Sequence, residues 1–144
     1  MRVPEILLVE DNPGDIRLTQ EALKESNFNS TLNVVVDGEE ALEYLFKRGK
    51  FTAAESPDLI LLDLNLPKKS GLEVLEEIKN DPELRIIPSI ILTTSDNERD
   101  IIKSYKLHAN CYIIKPVDFD EFARLTKLIE SFWFNSVKLP ETQH

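Results

Sequence analysis

The sequence contains five short apolar runs that are nearly continuous, instead of alternating with polar residues. Four of them lie at residues 6–9, 59–62, 89–92 and 112–114, and a fifth, at 32–36, is β-branched and slightly more polar. Continuous apolar character is typical of strands that are covered on both faces, as in a parallel sheet flanked by helices. The runs therefore predict five buried strands.

Apolar residues recur with helical spacing in the segments between these runs, at 15–25, 38–46, 72–79, 101–105 and 122–133. Strands and helices that alternate five times indicate an α/β fold with right-handed crossovers. Turn residues such as Asn12-Pro13-Gly14 separate the segments, and no linker or repeat divides the chain. We therefore expect residues 1–144 to form one domain, with an exposed loop at 47–57.

Composition argues against several classes of function. The formal net charge of -9 and the pI near 4.7 disfavour nucleic acid as a partner, because such binding needs a patch of Lys and Arg. No run approaches the roughly 20 apolar residues of a membrane span, and no signal peptide begins the chain, so we expect a cytoplasmic protein with no membrane partner. The one cysteine, Cys111, lies in an apolar run and is expected in the core.

Polar side chains follow four of the predicted strands. Glu10 and Asp11 end the first strand, Asp63 ends the third, Thr93 ends the fourth and Lys115 ends the fifth. Because ligands of open α/β sheets bind at the carboxyl ends of the strands, these side chains should converge. Each of them alone is more often a cap, turn or surface residue, but their joint placement predicts a functional site.

The chemistry of this set favours phosphoryl transfer. Crowded carboxylates repel unless a cation joins them, and an oxygen-only donor set without His or Cys selects a hard cation such as Mg²⁺. Such a cation stabilises the charge of a phosphoryl group in transfer, while an ammonium and a hydroxyl can bind further phosphoryl oxygens. An aspartate can accept the group covalently, which makes Asp63 the candidate acceptor.

The matching segments resemble the receiver domain of two-component response regulators, and they lie at residues 6–12, 61–67, 92–95 and 112–116. Their order and spacing cover residues 4 to about 130. The resemblance implies a flavodoxin-like, doubly wound sheet of five parallel strands in the order 2-1-3-4-5, flanked by five helices. A C-terminal helix extension and tail would follow at about 131–144.

The resemblance also implies a role for each site residue. Asp63 is the phosphoacceptor. Asp11, Asp63 and the backbone carbonyl of Asn65 ligate Mg²⁺, for which Mn²⁺ can substitute, and Glu10 acts through water. Lys115 binds the phosphoryl group or, before phosphorylation, Asp63 itself.

Two further residues would convert phosphorylation into a change of shape. Thr93 is the expected switch hydroxyl, with Thr94 as the alternative, and Tyr112 is the expected switch aromatic. Receivers also usually have a cis peptide bond at the match to Lys115-Pro116.

One turn departs from the family pattern. Receivers commonly have Gly-Ala before the fifth strand, whereas this chain has His108-Ala109. If that turn needs a positive φ, His108 is modestly strained.

Two segments, residues 46–57 and 131–140, look like those of the small single-domain regulators paired with cyanobacterial and other bacterial phytochromes. This finer resemblance implies a phytochrome-type sensor histidine kinase as the phosphodonor and a tendency to form homodimers. No output domain follows the receiver in the sequence, so we expect the output to be contact with an unknown downstream protein.

Three adjacent aromatic residues, Phe132, Trp133 and Phe134, lie near the end of the last predicted helix. Neighbours on a helix differ by about 100° in direction, so at least one of the three should reach the surface or a partner. Aromatic residues are favoured interface anchors, and we therefore expect a dimer through the C-terminal helix.

Three other functions remain open from the sequence. A degenerate receiver would take no phosphate and act only by docking. A phosphatase with an aspartate nucleophile would need a second Asp where this chain has Asn65, and an FMN protein would need a phosphate-binding loop where Glu10 and Asp11 would repel phosphate. We expect no enzyme activity beyond self-catalysed phosphoryl acceptance and autodephosphorylation.

Overall fold

The computed structural model describes residues 2–140 and contains one sheet of five parallel strands with helices packed on both faces. The strands are β1 (Glu5–Val9), β2 (Thr31–Val35), β3 (Leu59–Leu62), β4 (Ser89–Thr93) and β5 (Cys111–Ile114). The helices are α1 (Pro13–Glu25), α2 (Gly38–Leu45), α3 (Gly71–Asn80), α4 (Glu98–Lys106) and α5 (Phe119–Ser131). The strands pair in the order β2-β1-β3-β4-β5, which confirms the predicted fold class.

The sheet separates two apolar layers. Leu7 of β1 and its partner Ile60 of β3 pack on one face with residues of α2 and α3. Leu8 and its partner Leu61 pack on the opposite face with residues of α1 and α5. Because successive side chains of a strand point to opposite faces, a strand covered on both sides must be apolar at every position. This explains the continuous apolar runs.

Each of the five α-helices within residues 2–140 begins with a capping side chain, whose oxygen accepts a hydrogen bond from a backbone N–H of the first turn. The capping residues are Asn12, Asp37, Ser70, Asn97 and Asp118. Such a cap stabilises a helix by about 1 kcal/mol. Since every helix follows a parallel strand, these N-termini lie at the carboxyl edge of the sheet.

One segment differs from the sequence prediction, and the structure gives detail for a second. The predicted exposed loop at 47–57 contains a 3₁₀ turn, Gly49–Phe51, whose phenyl ring lies 5.2 Å from the ring of Tyr44. Where the sequence predicts a C-terminal helix extension, α5 continues as a π-helical segment, Phe132–Ser136. Both segments are anchored by aromatic packing, which sequence periodicity does not reveal.

Helix α4 is held mainly by polar contacts. Ser104 is its only fully buried residue, whereas the shorter α2 buries five of its residues. The hydroxyl of Ser95 donates to Asp100 in the first turn of α4 at 2.7 Å. The hydroxyl of Tyr105 accepts from the backbone N–H of Tyr112 in β5 at 3.1 Å. The helix therefore contributes little apolar surface to the core.

Helix α4 ends in a Schellman motif. The N–H of Ala109 donates to the carbonyl of Ser104 at 3.0 Å, and the N–H of His108 donates to the carbonyl of Tyr105 at 2.9 Å. His108 occupies the left-handed position of this motif, with a φ of 72°. The sequence predicts strain at His108 if this turn needs a positive φ. The turn does have a positive φ, so His108 is strained where Gly would not be.

We expect His108→Gly to raise the free energy of unfolding by up to about 1 kcal/mol. The left-handed conformation costs a residue with a Cβ roughly 1–2 kcal/mol. The greater freedom of Gly in the unfolded chain offsets roughly 0.5–1 kcal/mol of that gain. Urea unfolding measures the change, and His108→Ala is the matched control because Ala keeps the Cβ. An equal gain for both variants would contradict the strain.

The sequence predicts no membrane span and a buried Cys111. No helix among residues 2–140 is both long and apolar enough to cross a bilayer. Cys111 lies at the margin of the core, half-buried on the edge strand β5 and packed against the apolar layer beneath α1 and α5. Burial raises the pKa of its thiol.

Candidate functional site

The predicted site residues converge at the carboxyl edge of the sheet, because the strand ladder continues beyond the strands themselves. The backbone N–H of Asp63 donates to the carbonyl of Val9 at 3.1 Å, and that of Lys115 donates to the carbonyl of Thr93 at 2.7 Å. The N–H of Glu10 is held in the same way by the last carbonyl of β2, at 3.0 Å. The register of the sheet thus fixes the backbone positions of these three residues.

The ammonium of Lys115 lies at the centre of the site. Its Nζ donates to Oε1 of Glu10 at 2.5 Å, to Oδ2 of Asp15 at 2.8 Å and to Oδ2 of Asp63 at 3.0 Å. Lys115, Glu10 and Asp63 are all buried. Hydrogen bonds between ionised groups are stronger than neutral ones, so the ammonium ties three chain segments together.

Sequence reasoning did not identify Asp15 as a site residue. Asp15 lies in the first turn of α1, where its backbone N–H donates to the capping side chain of Asn12 at 3.0 Å. Acidic residues are common in that position because they stabilise the helix dipole. Its contact with Lys115 therefore had no sequence signal to distinguish it from an ordinary helix start.

Burial and charge act in opposite directions on this cluster. Burial raises the pKa of Glu10 to about 7, although the hydrogen bond from Lys115 favours the ionised form. Burial alone would lower the pKa of Lys115, but the hydrogen bonds to Asp15, Glu10 and Asp63 outweigh it and raise that pKa above its usual value. The lysine therefore stays charged, whereas burial still favours the protonated form of Glu10.

Glu10, Asp11 and Asp63 can each offer an oxygen such that the three atoms lie within 4.8 Å of one another. Glu10 and Asp63 are buried, whereas Asp11 is exposed and opens the group to solvent. An all-oxygen donor set fits a hard divalent cation. Asn65 lies next to this group, and its backbone N–H donates to Oδ1 of Asp63 at 3.2 Å.

The predicted switch residues meet at Ser95. Thr93 is fully buried and Thr94 is exposed. The backbone N–H of Ser95 donates to Oγ1 of Thr93 at 3.4 Å, and the hydroxyl of Tyr112 donates to the carbonyl of Ser95 at 2.9 Å. Burial raises the pKa of the Tyr112 hydroxyl, against the effect of that hydrogen bond. Ser95 was not singled out from the sequence.

The cis peptide bond implied at Lys115-Pro116 is wrong for this chain. No peptide bond within residues 2–140 is cis. The trans form is ordinarily favoured by about 0.5–1 kcal/mol before proline, and the ammonium of Lys115 reaches all three carboxylates with it. Pairing of the Lys115 backbone with Thr93 is enough to direct the side chain.

Gly71, the first residue of α3, supports the segment that carries Asp63. Its N–H donates to the carbonyl of Leu64 at 2.9 Å. A Cβ at this position would lie 2.2 Å from the carbonyl oxygen of Asp63 and 2.6 Å from the Cα of Leu64. Only Gly allows the helix to approach the acceptor backbone so closely.

The three adjacent aromatic residues divide between surface and core. Phe132 is 50% exposed, and its ring meets that of Trp133 edge-on with centres 5.4 Å apart. Trp133 and Phe134 pack against the apolar layer beneath α1 and α5, and the ring of Phe134 lies 6.4 Å from that of Phe28. Phe132 is thus the member of the set that is available to a partner.

This chain is similar to known proteins along nearly its whole length. Response regulator Rcp1 from Synechocystis sp. is 50% identical over 135 residues, which cover 94% of this chain and 92% of Rcp1. The crystal structure of the phosphorylated cyanobacterial phytochrome response regulator RcpA has a TM-score of 0.94 at 51% identity, covering 97% of this chain and 100% of RcpA. The Mn²⁺-bound form of Rcp1 has a TM-score of 0.92 at 48% identity, covering 96% and 99%.

The family of response regulator receiver domains matches residues 6–127, which include all five strands except the first residue of β1 and most of α5. The relatives extend the similarity over nearly the whole chain, with the fold in common. This chain therefore belongs to the response regulator receiver domains of two-component systems and is homologous to the phytochrome response regulators.

Proposed function

We propose that this chain is a phosphorylation switch in which Asp63 accepts a phosphoryl group with the help of Mg²⁺. The observation that carries the proposal is the Lys115 ammonium, which lies 3.0 Å from Oδ2 of Asp63 beside a group of three carboxylates. A sensor histidine kinase would be the phosphodonor. Similarity to phytochrome response regulators supports a phytochrome-type kinase in that role.

In the proposed transfer, a carboxylate oxygen of Asp63 attacks the phosphorus of a phosphohistidine. The new O–P bond forms as the P–N bond breaks, and the imidazole leaves with the electron pair and takes a proton from solvent. Lys115 already donates a hydrogen bond to the same carboxylate. The same N–H can therefore exchange Oδ2 for a phosphoryl oxygen as its acceptor. Bound Mg²⁺ would add positive charge at the phosphoryl oxygens.

The surroundings of the carboxylates support distinct roles for them in metal binding. Both oxygens of Glu10 already have donors, because Oε1 accepts from Lys115 at 2.5 Å and Oε2 accepts from the N–H of Asn12 at 3.2 Å. This supports a role in which Glu10 contacts the metal through a water molecule and not directly. Asp11, Asp63 and the carbonyl of Asn65 are the proposed direct ligands, and Mn²⁺ is the proposed substitute metal.

Thr93, and not Thr94, is the proposed switch hydroxyl. Thr93 is fully buried at the end of β4, the strand beside the one that precedes Asp63, whereas Thr94 is exposed. Movement of Thr93 toward a phosphoryl group would break its contact with Ser95, whose carbonyl holds the hydroxyl of Tyr112. A change at the acceptor would therefore reach Tyr112 through one intermediate residue.

Intact mass measurement after incubation with acetyl phosphate and Mg²⁺ tests the proposal. We expect a gain of one phosphoryl group that disappears when the metal is removed by a chelator. No gain at any acetyl phosphate concentration would favour a receiver that acts only by docking. Continuous release of phosphate from a phosphate ester would favour a phosphatase, and a flavin absorbance spectrum would favour an FMN protein.

An exposed apolar face is the proposed route of output. Large exposed apolar side chains lie on α4, β5, α5 and the segments beside them, at Ile102, Tyr105, Ile114, Val117, Phe119, Leu128 and Phe132. We propose that Phe132 and its neighbour Leu128 anchor a homodimer, with Trp133 and Phe134 fixing the direction of Phe132 from beneath. An unidentified downstream protein would read the rest of this face.

We expect the unaltered chain to sediment as a dimer and Leu128→Glu/Phe132→Glu to sediment as a monomer. These side chains are exposed, so the charges block a partner without entering the core. Trp133 and Phe134 pack against the core, and truncating them would confound assembly with stability. Ile86→Glu is the matched control, because Ile86 is 49% exposed and lies in a different segment. An unchanged mass distribution for the double variant would exclude this interface.

A further inference from the structure

We propose that Asp15 is a positioning residue that keeps the Lys115 ammonium in place while the metal and the phosphoryl group engage the other two carboxylates. The inference rests on the proposed function and adds a residue to it. Its basis is the 2.8 Å contact between Nζ of Lys115 and Oδ2 of Asp15.

All hydrogen-bonding capacity of the ammonium is in use. A lysine ammonium has three N–H donors, and Lys115 directs one to each of Glu10, Asp15 and Asp63. With its side-chain stem the nitrogen is therefore held from four directions. Lys115 can bind a phosphoryl oxygen only if it releases one of the three carboxylates.

The three partners of Lys115 differ in what phosphorylation does to them. Glu10 and Asp63 belong to the group of carboxylates that can hold a cation, whereas Asp15 does not. Phosphorylation turns one oxygen of Asp63 into an acyl phosphate oxygen, and the metal competes for the charge of Glu10. Asp15 is the partner whose contact with Lys115 neither event disturbs.

Asp15 is itself held firmly enough to act as a fixed point. Its N–H donates to Oδ1 of Asn12 at 3.0 Å, and its carbonyl accepts from the hydroxyl of Thr19 at 2.8 Å. Its side chain is 23% exposed, so water can reach it but does not surround it. Lys115 can therefore turn about Asp15 as its third N–H moves from Asp63 to the phosphoryl oxygen.

Preorganised charge lowers the barrier of a transfer, because no reorganisation is needed when the charge develops. Without Asp15, one N–H of Lys115 loses its acceptor and the ammonium gains freedom to move. We expect Asp15→Leu to slow phosphoryl uptake from acetyl phosphate by about fivefold or more at saturating Mg²⁺ and donor. Asp15→Asn keeps an acceptor oxygen, so its rate of phosphoryl uptake should lie between those of Asp15→Leu and the unaltered chain.

The kinetic experiment compares these variants with Glu21→Leu, which makes the same change of charge on the same helix without touching Lys115. Within residues 2–140, Glu21 forms an ion pair only with the exposed Arg17, at 3.2 Å. We expect this control to match the unaltered chain in maximum rate. A maximum rate in Asp15→Leu equal to that of the control would overturn the inference.

A second readout needs neither donor nor metal. A buried ammonium with all its N–H groups bonded exchanges protons slowly, so nitrogen-15 NMR of lysine side chains should show a protected Lys115 signal. We expect the signal in the unaltered chain and in Glu21→Leu, and its loss in Asp15→Leu. Persistence of the signal in Asp15→Leu would overturn the inference. Absence of phosphoryl uptake by the unaltered chain would instead remove the proposed function, while the NMR result still decides whether Asp15 holds Lys115.

Discussion

A chain carrying Asp63→Asn is expected to gain no phosphoryl mass from acetyl phosphate or from a phosphorylated histidine kinase. The amide has nearly the same shape as the carboxylate but lacks the anionic oxygen that attacks phosphorus. The variant should remain folded, because it removes one of the carboxylates that crowd around Lys115. Intact mass spectrometry measures uptake, and circular dichroism checks the fold.

Asp11→Asn separates the acceptor from the metal. This variant keeps Asp63 but weakens the group of three carboxylates, so uptake should be slow and should recover in part at high Mg²⁺. No concentration of Mg²⁺ should restore uptake in Asp63→Asn. Full labelling of Asp63→Asn would show that another residue accepts the phosphoryl group.

Gly71→Ala is expected to lower the free energy of unfolding by about 2–3 kcal/mol, the range of a severe overpacking substitution. The added Cβ would lie 2.2 Å from the carbonyl oxygen of Asp63, far inside the contact distance of real Cβ atoms. Both neighbours are backbone atoms, so no side chain can rotate to relieve the clash. The segment from Asp63 to Leu64 or the start of α3 must shift.

The same shift should weaken the site. Because the displaced atoms belong to the acceptor residue, we expect Mg²⁺ affinity to fall together with stability. Gly14→Ala is the matched control, since a Cβ there meets only Oδ1 of Asn12, at 3.2 Å. Urea unfolding and calorimetric titration with Mg²⁺ measure the two effects. A stability loss as small as that of Gly14→Ala would show that the α3 junction can adjust.

The fold was predictable because its core is built from strands that are almost continuously apolar. That pattern located each strand within one residue, from the run at 6–9 to the run at 112–114. The 3₁₀ turn at Gly49–Phe51 escaped prediction because it depends on a contact between Phe51 and Tyr44, which no local period encodes.

The candidate site was predictable to the extent that its residues end strands. Glu10, Asp63 and Lys115 begin where the ladder stops, so sequence order alone brings them to one edge. Asp15 lies on a helix and reaches the site through the direction of its side chain, which sequence does not specify. Ser95 acts partly through its backbone, and backbone groups carry no sequence signature.

The weak burial of α4 has a consequence for how far a small event at Asp63 can be felt. Ser104 is its only fully buried residue, and a hydrogen bond from Ser95 to Asp100 fixes its first turn. Local opening of a segment costs less when it exposes little apolar surface. The helix nearest the switch residues is therefore a region of low local stability, and the loss of one or two hydrogen bonds at its start can change how often it opens. Signalling in such a molecule does not require the displacement of a rigid helix. Phosphorylation can act by changing how often α4 unfolds locally.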